Sequence, residues 1–322
     1  MMATNPSPCT RRNIELRRHR HGPRRSRATA DSLQSAWLAW RLRHPASHDL
    51  TRAAAELHVP EAHLLAAIEG NGVTALHPDL PDLLSTAASW GRLEIDIPHG
   101  LGRVQMRMTP TQVSLKHPTI TLAEGPRHVD LSTQGVASCY LVSGEMPDQH
   151  SLQWFGRDGH AIARLRMLDP GQHLVLPHLL QSACADLPDG PPPHLEQPPE
   201  LQLPADWCAL DTLIRPGTGL VRITQSLPQA LTHIPAARLR LPGRGLALSC
   251  TGTIATTLDS ATTCSLRIEP GRLAHAYVCV APDGTPFLRL HAHDESWISL
   301  QPMLDPTSAW AWIDMLVPSR RA

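Results

Sequence analysis

The sequence predicts a duplicated α+β protein, and three observations carry that prediction. Two stretches, Gln149–Leu168 and Thr285–Leu304, lie over one another without a gap, at a spacing of about 136 residues. Leu152 falls on Leu288, Asp158 on Asp294, Ile162 on Ile298, Met167 on Met303 and Leu168 on Leu304. That period is too long for a solenoid and fits a repeated domain. Alternation of apolar and polar residues sets in after Trp90-Gly91 and returns in the second half, the pattern of half-buried antiparallel strands. Helical segments gather ahead of those strands instead of alternating with them, which excludes a doubly wound α/β arrangement.

In chain order, residues 1–30 form an Arg-rich, Pro-containing tail read as a disordered extension. A helix follows from Ser32, with Leu33, Trp37 and Trp40 on one face, Asp31 or Ser32 as N-cap, and Pro45 as its stop. Leu50–Leu57 and Glu61–Glu69 read as two short helices parted by His58-Val59-Pro60, with proline suited to a first turn. Asp79–Ser89 is a further helix. Strands are expected around Leu93–Ile97, Val104–Met108, Val113–Leu115, Val129–Leu131, Cys139–Val142 and Leu152–Phe155. Arg157-Asp158-Gly159 is a hairpin turn, its glycine supplying the left-handed position. Leu174–Ala185 closes the first half as a helix. The proline-rich stretch 187–204 is a stiff linker between halves at 31–186 and 205–318. The second half opens on a helix at Trp207–Ile214. Strands follow at Leu246–Cys250, Ser265–Ile268, His275–Val280 and Phe287–His291, and Trp310–Val317 is the final helix.

Composition narrows the function. With 29 basic against 29 acidic residues, no global field draws the chain to nucleic acid or membrane, although eight arginines crowd the first 30 positions. Seven cysteines are scattered, odd in number and without CxxC spacing. No apolar run approaches 18 residues, and the N-terminus lacks the apolar stretch of a signal peptide. A cytoplasmic protein with reduced thiols is expected. No P-loop, GxSxG elbow or HExxH occurs, so NTPase and conventional hydrolase chemistry have no positive support.

Nineteen histidines are the one unusual resource. His291 and His293, two apart, can face one way from a strand, and His275 on the preceding strand would complete a metal site; the plain alternative is a solvent-facing hairpin. Residues 50–69 have the spacing of a helix-turn-helix. Their second helix carries Glu61, His63 and Glu69 with no Arg or Lys for phosphate, which argues against nucleic acid and for a packed helical corner.

The ordered series WLAWRLRHPASHDLTRAAAELHVPEAHLLAAIEG, LPDLLSTAASWGRLEI, HVDLS, SLQWFGRDGHAIARLRM and TCSLRIEPGRLAHAYVCVAPDGTPFLRLHAHDE resembles the bacterial hemin-degrading and haem-trafficking family, HemS, HmuS and ChuS, with its single-unit relatives ChuX and HutX. The likeness runs from about Leu33 to Val317. It implies a duplicated HemS-like fold, two halves each with a large antiparallel sheet flanked by helices. The function implied is cytoplasmic haem binding, trafficking or degradation, with haem as cofactor and the haem-import machinery as a partner. The family's axial histidine follows a Trp that Trp207 matches, yet Leu213 or Ile214 stands in its place. An aliphatic side chain cannot ligate iron. The family's strand arginine is Ser132, and its closing Tyr-and-Arg segment is LQPML at Leu300–Leu304. The usual histidine of the first sheet would fall near Arg103-Val104. His117 and His99 are therefore the expected haem contacts, and no catalytic residue is assigned. The alternative reading is a non-enzymatic regulatory or interaction protein that kept the scaffold and lost the haem site, with segment 50–69 and the arginine-rich tail as contact surfaces.

Overall fold

The computed structural model describes residues 27–45, 50–76, 81–132, 135–143, 150–169, 223–243, 245–257, 263–294 and 296–316. Residues 1–26 of the tail, the linker at 187–204 and the expected helices at Leu174–Ala185 and Trp207–Ile214 lie outside them, as do the boundaries at 186 and 205, whereas tail residues 27–30 are helical.

The chain opens with three helices, α1 (Arg27–Arg43), α2 (Leu50–Glu56) and α3 (Glu61–Ala67). Helix α1 begins earlier than the sequence suggested, so Asp31 and Ser32 lie within it and do not cap it. Its Trp37 and Trp40 rings stack at 5.5 Å, and the Trp40 indole donates to Glu56 at 2.7 Å, tying α1 to α2. These helices bury Trp40, Ala53, Leu64 and Leu65 in a small core of their own. The orphan amide of Ala62, in the first turn of α3, donates to the Gly159 carbonyl at 3.1 Å. The segment with helix-turn-helix spacing thus lies with its second helix docked on the Asp158-Gly159 hairpin.

Strand β1 (Val73–Leu76) and the short helix α4 (Pro81–Ser85) lead into a long antiparallel series. Its members are β2 (Leu93–His99), β3 (Gly102–Met108), β4 (Gln112–Lys116), β5 (Thr119–Glu124), β6 (Arg127–Ser132), β7 (Ser138–Val142), β8 (Ser151–Phe155) and β9 (Ala161–Met167). The second half begins with α5 (Ile223–Leu231), where Pro228 masks the helical pattern in the sequence. Strands β10 (Ala237–Gly243), β11 (Leu246–Gly252), β12 (Ile254–Ala255), β13 (Cys264–Ile268), β14 (Leu273–Val280), β15 (Pro286–Ala292) and β16 (Trp297–Pro302) precede the final helix α6 (Pro306–Leu316). The Trp312 indole of α6 donates to the Ala230 carbonyl at 3.0 Å and seats it against α5.

Two eight-stranded sheets result, in the orders β1-β7-β8-β9-β2-β3-β13-β12 and β14-β15-β16-β10-β11-β6-β5-β4. The first belongs mainly to the first half, the second mainly to the second, and each half lends strands to the other. Strands β4–β6 leave the first half to pair with β11 through β6, and β12–β13 leave the second to pair with β3 through β13. The repeat is real, and it is interlocked. At one crossing the backbones nearly touch: a side chain on Gly135 would stand 2.7 Å from the Gly245 Cα, and Gly245 itself holds φ +75°. The Ser132 amide donates to the Gly245 carbonyl at 2.8 Å at the same point.

Alternation along each strand turns one face of each sheet inward. Ile95, Val104, Met106, Leu152, Trp154 and Leu165 of the first sheet meet Ile120, Leu122, Leu131, Leu239, Leu248 and Leu300 of the second in one continuous core. Side chains fill the space between the sheets. A void of about 20 Å³ lined by residues such as Leu84, Ile95, Ile120 and Leu246 holds about one water at most. No flat macrocycle fits there, so among the described residues the outward faces of the sheets are left for a ligand of that size.

Candidate functional site on the outer face of the second sheet

Strand register gives an internal comparison between the two outward faces. On the first sheet a row runs Tyr140–Gln153–Arg164–Asp96–Gln105–Ser265, each residue directly opposite the next. On the second the matching row runs Tyr277–Arg289–Ser299–Arg240–Ser249–His128. A parallel row reads Ser138–Phe155–Ala161 on the first sheet and His275–His291–Trp297 on the second. Neighbours in such rows stand roughly 5 Å apart.

The two halves have diverged at these positions. In the first, Tyr140 meets Phe155 edge-on, with ring centroids at 5.9 Å, and both belong to the apolar core beneath α1–α3. In the second, Tyr277 meets His291 edge-on at 5.3 Å, so an imidazole occupies the place of the phenyl ring. His275 lies beside Tyr277 at 6.0 Å. The Arg289 guanidinium, 1% exposed, stacks over the Trp297 ring at 4.0 Å where the first half has Gln153 and Ala161. Arg240 follows two strands further along the row, replacing Asp96. One face thus carries aromatic rings, two imidazoles and two guanidinium groups. Rings and imidazoles suit a flat conjugated ligand with a metal at its centre, and the guanidiniums suit carboxylates at its rim.

The expected contacts do not converge on this face or on each other. His99 ends β2 on the inward side, 8% exposed, where its Nδ1 accepts from the Leu101 amide at 3.1 Å. Burial depresses its pKa to about 4, against opposing contributions from the Asp294 carboxylate and the Trp297 carbonyl. His117 is exposed at the turn between β4 and β5, the far edge of the second sheet. His99 packs near the β15–β16 turn of that sheet, and five strand spacings, roughly 24 Å, separate this turn from the one at His117. Of the histidines considered for a metal, His275 and His291 are direct cross-strand partners, whereas His293 lies exposed in the following turn. Among the described residues no three metal-ligating side chains come together. Ser132 and Gln301, both in segments where the resemblance places haem contacts, point to the outer face by strand alternation; Trp207, Leu213 and Ile214 lie outside the described residues.

Tyr277, Arg289, Trp297 and Arg240 were not singled out from sequence. The signal for two of these positions was present in the gapless repeat, which sets Gln153 on Arg289 and Ala161 on Trp297, and it also sets Phe155 on His291. Tyr277 and Arg240 lie outside that repeat, and within it a bulge shifts register at Trp154/Phe155, so Ile162 is an extra residue in β9 and the alignment beyond it slips by one.

Fold and face together define a two-sheet, strand-exchanged α+β scaffold with an aromatic and cationic outer surface. No protein-family model and no curated protein matches the sequence. Solved structures do match the fold. Apo-PhuS, a heme-binding protein from Pseudomonas aeruginosa, aligns with a TM-score of 0.68 at 15% identity, covering 89% of this chain and 98% of its own. ChuS, a heme degrading enzyme from Escherichia coli O157:H7, aligns with a TM-score of 0.67 at 16% identity, covering 90% and 100%. The duplicated α+β fold expected from the sequence is the fold these proteins share. Among the described residues no helix is long and apolar enough to cross a membrane.

Proposed function

We propose that this protein binds haem on the outer face of its second sheet and carries it without opening the ring. One observation carries the reading. At matched positions of the repeat, a Tyr–Phe pair buried under helices has become a Tyr–His pair beside a second imidazole and an arginine stacked on Trp. Apolar packing alone does not favour that exchange, because imidazole carries polar nitrogens that phenyl lacks. A porphyrin uses every part of it: nitrogen for iron, rings for the macrocycle, guanidinium for propionates. The haem-binding neighbours of this fold and the positions of Ser132 and Gln301 on the same face support the choice. Carriage is favoured over ring opening because the place of the family's axial histidine holds Leu213 or Ile214. Supply from a haem importer in the cytoplasm belongs to the same proposal.

Titrating hemin into the full chain tests it. A saturable shift of the Soret band is expected, at one equivalent. His291→Phe restores the first half's residue and should weaken binding about tenfold or more, the scale of one lost ligand bond. His275→Ala, His117→Ala and His99→Asn rank the remaining histidines in the same titration. Absorbance of free hemin alone, at any protein concentration, would reject the proposal.

A further inference from the structure

The geometry points to a second binding site, for a compact phosphate-bearing anion, on the outer face of the first sheet. Helices α1–α3 cover the β1-β7-β8 end of that face, and the β2-β3-β13 end holds an open basin of about 310 Å³. Its walls include Arg103, Arg107, Arg166 and Arg267, with Glu94 as the one carboxylate among its lining residues. Glu94 is only 4% exposed. It binds Arg107 at 3.1 Å on one side and Arg166 on the other, so it fixes two guanidinium forks instead of cancelling the site. Asp96, just beyond the rim, holds Arg103 at 3.2 Å and Arg164 at 3.4 Å.

Arg267 is different. It stands directly opposite Arg103 in the β3–β13 ladder, and among the described residues it makes no ion pair or side-chain hydrogen bond. Like charges directly opposite one another destabilise a sheet. This face keeps such a pair beside two oriented forks and the Ser265 and Thr256 hydroxyls. Planar forks already held in place are what phosphate oxygens bind best. The volume sits at the lower end of the range for small-ligand pockets. The concavity, with Glu94 buried in its lining, suits a compact anion over a nucleic-acid duplex, which needs a row of outward cations. Strands β2, β3 and β9 come from one half and β13 from the other, so the site exists only because the halves exchange strands.

Inorganic pyrophosphate and the full chain at low salt make the test, read by calorimetry and by thermal shift. Saturable binding with a rise in Tm is expected. Arg267→Gln should weaken it at least tenfold, the scale of one charged bidentate contact. The same variant should leave the ligand-free Tm unchanged or raised, since it removes a like-charge opposition. Arg267→Lys should fall between. Arg272→Gln, whose side chain pairs with Glu269 and does not line the basin, should bind as the parent does. The site is overturned if pyrophosphate fails to saturate the parent, or if Arg267→Gln binds it equally well. Duplex DNA binding that depends on Arg267, without pyrophosphate binding, would also overturn it. Hemin titration does not bear on this outcome.

Discussion

His99 shows at the scale of one residue how a buried imidazole becomes a pH sensor for the whole fold. Its ring is held by the Leu101 amide and faces the Trp297 carbonyl and Asp294 across the junction of the two sheets. Burial outweighs both, so the folded protein keeps this histidine neutral down to about pH 4, while the unfolded chain protonates it near 6.5. Folding therefore excludes a proton between those values. The stability tied to neutral His99 is fully present above about pH 6.5 and is lost progressively as pH falls toward 4, to a total of about 3 kcal/mol. His99→Asn keeps an acceptor near Leu101 and cannot take up the proton. Urea unfolding at pH 7 and at pH 4.5 should show the parent losing more stability than the variant. Parallel losses would mean that other groups carry the acid sensitivity. Gly100 belongs to the same junction, because any side chain there would collide with Asp294 and Ser296.

At the scale of elements, one arginine decides how the N-terminal helices sit. Arg164 of β9 reaches the Thr51 hydroxyl at 2.7 Å, Glu61 of α3, and Asp96 at 3.4 Å. Arg164 and Glu61 are 15% and 11% exposed, so the pair works in a poorly screened setting. Arg164→Met would strand Glu61 and leave Asp96 to Arg103 alone, at a cost of about 3 kcal/mol. Hydrogen exchange is expected to quicken through α2 and α3 while β10–β16 keep their protection. Unchanged exchange in residues 50–67 would show that the apolar contacts around Leu64 and Leu65 hold the helices alone. These helices were legible in the sequence because their apolar spacing and the proline between them are local signals. So were most strands, and the Asp158 and Asp294 turns, each of whose carboxylates accepts from an amide two residues on. Strand β1 was not legible, since four residues of VTAL show no resolvable period. Nor was β10, where arginines alternate with leucines outside any repeat that had been aligned. The candidate site was missed for a different reason: it is defined by which residues stand across from one another, and register is a property of pairing, not of a segment.

The exchange of strands between halves governs the molecule as a whole. No local pattern announces it, because β6 meets β11 and β13 meets β3 only after separations of more than 100 residues. Loop closure over such distances delays these contacts until much of the chain is ordered. Each half alone would expose a long unpaired edge, at β3 in one and β11 in the other, and would lack the opposing sheet for its inward leucines. Unpaired edges beside bare apolar faces are the ordinary route to aggregation. Residues 1–186 expressed alone should therefore be insoluble or lack dispersed amide resonances, and the full chain should unfold in one transition followed alike by fluorescence and circular dichroism. Trp40, Trp90 and Trp154 report on the first half and Trp297, Trp310 and Trp312 on the second, so selective Trp→Phe variants can watch each half separately. Two separated transitions, or a soluble and well-dispersed isolated half, would show that the exchanged strands decorate independent domains. A single transition would also tie the basin to the intact pair, because β13 of the second half completes its wall beside β2, β3 and β9 of the first.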